Sequence, residues 1–167
     1  FGIFSSLGFL SKYLFIYFLV SIFLFLIFIY KDHKKILFNY SISLLVSLII
    51  LTPHLIWLFD NEFVTIFYGL NRSGVSDHEI YNHLKNPFIF FLKQLVVLLP
   101  FFLMFLVLLK NFRFHINFKS KKNLFLITIT VLPIFLVLIT SLITGAKIRT
   151  MWMTPFYLFF GTLFLLI

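Results

Sequence analysis

Lys12, Lys147 and Arg149 stand in short turns between long apolar runs. The distribution of charge along the chain puts those turns on the outer face of a membrane, where Lys and Arg are normally scarce. Cations kept against that bias call for a partner. At headgroup depth the natural partner is a phosphate, held by charge-assisted hydrogen bonds. Lys93 adds a cation inside an apolar helix, and an ionisable residue within a transmembrane segment is a functional-site candidate by default. On the same outer side lie His54, Asp60, Asn61 and Glu62, with Arg72, His78 and His83 further along and Gln94 beside Lys93. Carboxylates such as Asp60 and Glu62 can take a proton from an incoming hydroxyl or amine. The set suits transfer of a group from a lipid phosphate to an acceptor outside the cytoplasm. Each residue also has a plainer role. Lys and Arg snorkel to headgroups, the acids serve as solvated loop charge, and His54, next to Pro53, serves as a hydrogen-bonded helix end. Their convergence on one face is what favours chemistry.

The elements that must position these residues follow from the apolar runs. The 167-residue chain is 62% hydrophobic and 22% aromatic, more apolar side chain than a soluble domain of that size can hide. Its 27 Phe residues are read as bulk, and no single one is given a function. Hydrocarbon is the solvent for most of the chain. The expected fold is all-α, a multi-pass transmembrane helical bundle forming one membrane domain over residues 1–167. As one helix, residues 1–30 would be about 45 Å long, beyond a ~30 Å hydrocarbon core. The run is therefore split into a helix tail over 1–10, a tight turn at Ser11-Lys12 and a span over 13–30. Further spans are expected over about 36–59, 87–109 and 124–143, with Pro53, Pro100 and Pro133 inside them and Pro100 a kink site. The run from Pro155 to Ile167 is shorter than the ~20 residues a span needs, and the chain starts at Phe1. Both ends read as cut. About four full spans with partial helices at each end are expected, as a fragment of a larger transmembrane domain.

Lys31, Lys34 and Lys35 occupy one loop, and Lys110, Arg113, Lys119, Lys121 and Lys122 another. The positive-inside rule makes both cytoplasmic. The net charge of +9 is thereby explained without nucleic acid. Asp60, Glu62, Asp77 and Glu79, all but one of the chain's five acidic residues, then share the outer loop over 60–86. That loop is longer than a connector requires, and long ordered loops usually carry function. Phe63, Phe67 and Leu70 recur at helical spacing, which predicts a short interfacial helix. "SDHE" predicts a second, with Ser76 as N-cap and Glu79 reaching back to it, running to about Lys85. Pro87 would then open the following span from its first turn.

Several chemistries leave no mark. There is no Cys, hence no disulfide or thiolate site. A Gly-rich phosphate loop, HExxH and Gly-x-Ser-x-Gly are all missing, and the histidines lack metal-ligand spacing. No cofactor is assigned, and dependence on a divalent metal stays open.

"SLGFLSKY", "PHLIW" with "DNEF", "QLVVLLP" and "KIRTMWMTPFY" occur in that order. Together they resemble the membrane part of polyprenyl-phosphate-sugar glycosyltransferases of the GT-C fold, the group of protein O-mannosyltransferases and the lipid A aminoarabinose transferase. Lys12 matches the Lys that closes the family's turn. Pro53, Trp57 and Asn61 match the end of a span and the loop after it, and Gln94 and Pro100 a Gln-to-Pro spacing. Lys147, Trp152, Pro155 and Tyr157 match an outer segment. Leu58 stands where the family often has Asn, and Met151 where it often has His, so those positions lend no support to sugar binding. The resemblance implies an inverting hexosyl- or pentosyl-type transferase. Its donor would be a polyprenyl-phosphate sugar, and its acceptor a lipid, glycan or protein. The family's catalytic acid lies in an earlier outer loop, so no catalytic residue is assigned here. Lys12, His54, Asp60, Asn61, Glu62, Lys93, Lys147 and Arg149 are the expected substrate-binding residues. The setting would be a bacterial inner membrane, with membrane lipids around the protein and the site facing the periplasm. The alternatives are a lipid or oligosaccharide flippase without enzymatic activity, and a membrane anchor subunit.

Overall fold

The computed structural model describes residues 1–30, 32–74, 80–108 and 120–166. Among these the chain is helical throughout: α1 (Gly2–Ser11), α2 (Phe15–Ile29), α3 (His33–Asp60), α4 (Val64–Arg72), α5 (Asn82–Leu108), α6 (Lys121–Thr144), a 3-10 helix over Thr150–Tyr157, and α7 (Phe160–Leu166). α3, α5 and α6 are long and apolar enough to cross a membrane, as an integral membrane protein requires. The expected span over 13–30 appears as α2, whose 15 residues reach only about 22 Å at 1.5 Å each.

The chain forms two compact units, residues 1–70 and 71–167. In the first, α1 ends where Lys12 turns extended and its N–H closes on the Gly8 carbonyl; α2 starts from the Tyr13-Leu14 turn that follows. The expected break in the run is present but falls later than Ser11-Lys12: Ser11 still belongs to α1, and the turn is at Tyr13-Leu14. Asp32 caps α3 by accepting a hydrogen bond from the Lys35 N–H. α1 lies against α3 through small residues. The Ser6 hydroxyl is within hydrogen-bond distance of the Ser47 carbonyl and hydroxyl. A Cβ on Gly2 would stand 2.5 Å from the Ser43 carbonyl oxygen, so the backbones meet at a distance only glycine permits. Small residues at close crossings are how helices associate in lipid, where burying grease gives no advantage.

In the second unit, Thr130, Pro133, Val137 and Ser141 form a buried stripe along α6. The buried partners in the same unit include Phe90, Gln94, Met153 and Phe156. Large apolar side chains point outward instead, among them Val96 and Ile143. The serines and threonines inside the helices cost little in such a setting, because their hydroxyls bond the carbonyl four residues back, as Thr130 does to Leu126.

Two expected boundaries move. Pro87 does not open the third span. α5 starts at Asn82 and runs through both Pro87 and Pro100, so Pro87 sits a turn inside and the His83 carbonyl loses the N–H that an ordinary residue would offer it. Residues 155–159 do not begin an α-helix: Pro155 lies within the 3-10 helix, and α7 starts at Phe160. The helix over Val64–Arg72 occupies the place that the Phe63, Phe67 and Leu70 spacing predicts. The Ser76–Glu79 capping box lies outside the described residues.

Candidate functional site

The segment over 145–149 carries Lys147 and Arg149, and its backbone is fixed from several sides. Gly145 ends α6 in the left-handed region (φ +68°) with its N–H bonded to the Ser141 carbonyl, a conformation that glycine adopts without steric cost. The Asn86 side-chain amide donates to the Gly145 carbonyl at 2.6 Å. His83 Nδ1 lies 2.9 Å from the Leu142 carbonyl, which can only accept, so the proton sits on Nδ1. The Ser141 hydroxyl donates to the Ala146 carbonyl at 2.7 Å, and the Lys147 N–H to the Ser73 carbonyl, also at 2.7 Å. The two cationic side chains thus project from an anchored strand, and Arg149 leads it into the 3-10 helix.

They face a cavity of about 760 Å3 that lies wholly within the second unit. One wall is a face of α5: Asn82, Lys85, Asn86, Ile89, Phe90 and Lys93 recur at the i, i+3, i+4 spacing that keeps side chains on one side of a helix. Arg72, from the last turn of α4, completes the cationic lining. Arg72, Lys85, Lys93, Lys147 and Arg149 all border this cavity, and no carboxylate does among the described residues. Lys85 also lies over the Tyr81 ring, 5.2 Å from its centroid. Like charges gathered in one cavity repel; two of them ~8 Å apart cost about 2 kcal/mol at an effective dielectric constant of ~20. An anion removes that cost and gains the attraction.

Gln94, the residue after Lys93 and turned away from the cavity lining, is buried and accepts a hydrogen bond at Oε1 from the Tyr157 hydroxyl. Its Nε2 has no hydrogen-bond partner among the described residues.

The first unit treats its polar groups differently. The Tyr13 hydroxyl lies 2.9 Å from His54 Nε2 and 2.9 Å from the Thr65 hydroxyl, and the His54 ring is stacked on Trp57. His54, inside α3, is therefore engaged by Tyr13 and Trp57. Asn61 caps α3, its side-chain amide donating to the Trp57 carbonyl at 2.8 Å. Glu62 and Phe63 both have positive φ (51° and 54°), and the Val64 N–H closes the turn onto the Asn61 carbonyl. Two successive residues at positive φ with that bond form the tight turn that favours Asn and Gly; Glu and Phe hold it here at a conformational cost. Asp60 and Glu62 are exposed, and Lys12 is half-buried.

Of the eight expected binding residues, Lys93, Lys147 and Arg149 come together in one cavity. Lys12, His54, Asp60, Asn61 and Glu62 belong to the first unit. Lys85 joins Lys93, Lys147 and Arg149: a span that starts at Pro87 leaves Lys85 in a separate loop helix, whereas the start at Asn82 puts it on the α5 face of the cavity. Arg72 was counted among the outer residues but not among the binding ones. No group of three or more His, Asp or Glu able to hold a metal occurs among the described residues.

The chain matches no family model, no curated protein and no solved structure.

Proposed function

We propose that the chain is part of a membrane glycosyltransferase that moves a sugar from a polyprenyl-phosphate carrier to an acceptor on the non-cytoplasmic face, and that the basic cavity cradles the carrier phosphate. The observation that carries this reading is the cavity lined by Arg72, Lys85, Lys93, Lys147 and Arg149 with no carboxylate among its described lining residues. In such a reaction the acceptor oxygen or nitrogen attacks the anomeric carbon. The bond from that carbon to the phosphate oxygen breaks, and the electron pair stays with the phosphate. The acceptor's proton passes to a base, which the resemblance places in an outer loop nearer the family's N-terminus. A sugar-linked phosphate is a diester with one negative charge. The departing monoester approaches two, since its second pKa is about 6. Cations fixed around it are attracted more strongly to the product-like state than to the donor, and only such a difference accelerates the chemical step. Arg149 brings a planar fork and Lys147 a mobile point charge.

One observation favours transport as a second reading. The buried Gln94 Nε2, next in sequence to the cavity residue Lys93, has no partner among the described residues, and polar groups at depth line substrate paths in transporters. Sugar transfer to acceptor, as opposed to translocation of the intact carrier, separates the two.

The test uses the full-length protein with Lys147→Ala and Arg149→Ala made separately. Each loses a charge-assisted hydrogen bond worth about 1.5–3 kcal/mol, so donor affinity falls by roughly tenfold or more while membrane insertion is unchanged. Undiminished affinity in both variants defeats the reading. Sidedness is checked by single-cysteine labelling, since the chain has no native Cys. A Cys at Glu62 reacts with an impermeant reagent in intact cells, and one at Lys34 reacts only after permeabilisation. The reverse pattern inverts the topology.

A further inference from the structure

We infer that the basic cavity receives two anionic groups of a single ligand at once. This rests on the reading of the cavity as a lipid-phosphate site and concerns what else that ligand carries. The cations are spread along α5 and the segment beside it. Asn86 holds Gly145 at one end, while Lys93 and Thr150 line a common hollow at the other. The segment over 145–150 therefore runs alongside α5 from Asn86 to Lys93, about 10 Å of helix at 1.5 Å per residue. Lys85 stands at the first end of this track and Lys93, with Arg149 next to Thr150, at the second. Lys147 comes between them, its N–H bonded to the carbonyl of Ser73, the neighbour of Arg72. A single phosphate presents its oxygens within about 2.5 Å of one another, so the two ends of the track would have to bend inward to share it.

Charge leads to the same conclusion. Against Lys85, Lys93, Lys147 and Arg149 of the described lining, a sugar-linked monophosphate brings one negative charge and leaves much of their mutual repulsion in place. A second anionic group along the track neutralises the end the first does not reach. Two ligands satisfy this chemistry: a lipid diphosphate, and a lipid monophosphate whose sugar bears a carboxylate. The Asn71 amide also lines the cavity, and an amide of this kind suits a sugar hydroxyl lying between two anions.

The experiment measures binding to full-length protein in nanodiscs of zwitterionic lipid. The probes are polyprenyl phosphate linked to a neutral hexose, polyprenyl diphosphate linked to the same hexose, and polyprenyl phosphate linked to a uronic acid. One of the doubly charged ligands binds roughly tenfold tighter than the singly charged one or better, and the one that does so identifies the source of the second charge. Lys85→Gln weakens that ligand several-fold more than the singly charged one. Equal affinity for all three, or an equal loss on Lys85→Gln, overturns the inference while leaving the phosphate site intact. Displacement of all three by anionic phospholipid at matched concentration marks a plain headgroup surface and overturns it too. Binding of none of the three above the free polyprenol overturns the phosphate site itself.

Discussion

Tyr13, His54 and Thr65 close on one another, whereas Lys93, Lys147 and Arg149 share a cavity whose described lining holds cations and neutral groups but no carboxylate. In the first unit a hydroxyl, an imidazole and a second hydroxyl supply both donors and acceptors, so the group is satisfied without help. In the second unit every charged group on the described cavity wall is a donor of the same sign. A cluster of that kind leaves its charge to be balanced from outside the described wall. Both sets consist of polar residues near the ends of apolar helices, and composition does not separate them. What separates them is whether the members can be each other's partners. Self-complementary polar groups hold a fold together, and groups that are all of one kind wait for a ligand.

Three substitutions press on this difference. The largest effect is expected at Gly145. Gly145→Ala puts a Cβ on a residue at φ +68° and 3.3 Å from the His83 ring. It should cost about 1–2 kcal/mol of stability, as left-handed backbone does for an L residue. Because Gly145 sets the path of the segment carrying Lys147 and Arg149, anion affinity should fall with it. A lower Tm in detergent with unchanged affinity would show that the cavity tolerates a displaced segment. Tyr13→Phe should cost about 1 kcal/mol, since His54 and Thr65 lose a shared partner, and should leave affinity for the anion where it was. A change in anion affinity in that variant would break the comparison, by making the first unit part of the binding site. The smallest effect is expected at Asn61. Asn61→Ala removes the side-chain bond to the Trp57 carbonyl and should lower stability by about 0.5 kcal/mol, again without altering affinity.

Much of the helical layout was legible because long apolar runs bounded by charge admit few other readings. Residues 36–59 and 124–143, expected as spans, lie inside α3 and α6. The misplaced start of α5 has a local cause. Proline is so favoured in a first turn that "NPF" reads as a beginning, yet the polar residues before it continue the same helix. That shift also concealed Lys85, which joins the α5 face only once Asn82 is the start. Lys93, Lys147 and Arg149 were legible as cations out of place. The partnership of Tyr13 with His54 was not, because the residues are 41 positions apart and neither carries a pattern pointing to the other. Nor did the sequence signal the positive φ of Glu62 and Phe63, since neither is the Gly or Asn that such a turn favours.

The crossing of α1 and α3 has a consequence that hydropathy cannot register. The two helices meet at Gly2 and at the Ser6 and Ser47 hydroxyls, so their fit depends on what is missing from the side chains. Replacing either serine by leucine, or Gly2 by valine, would make the helix that carries it more apolar and strengthen its partition into lipid. The same change would force the backbones apart. Natural drift toward greasier residues, which surface positions facing lipid absorb freely, is therefore filtered at this crossing. The helices would still insert with the same orientation but would no longer mate.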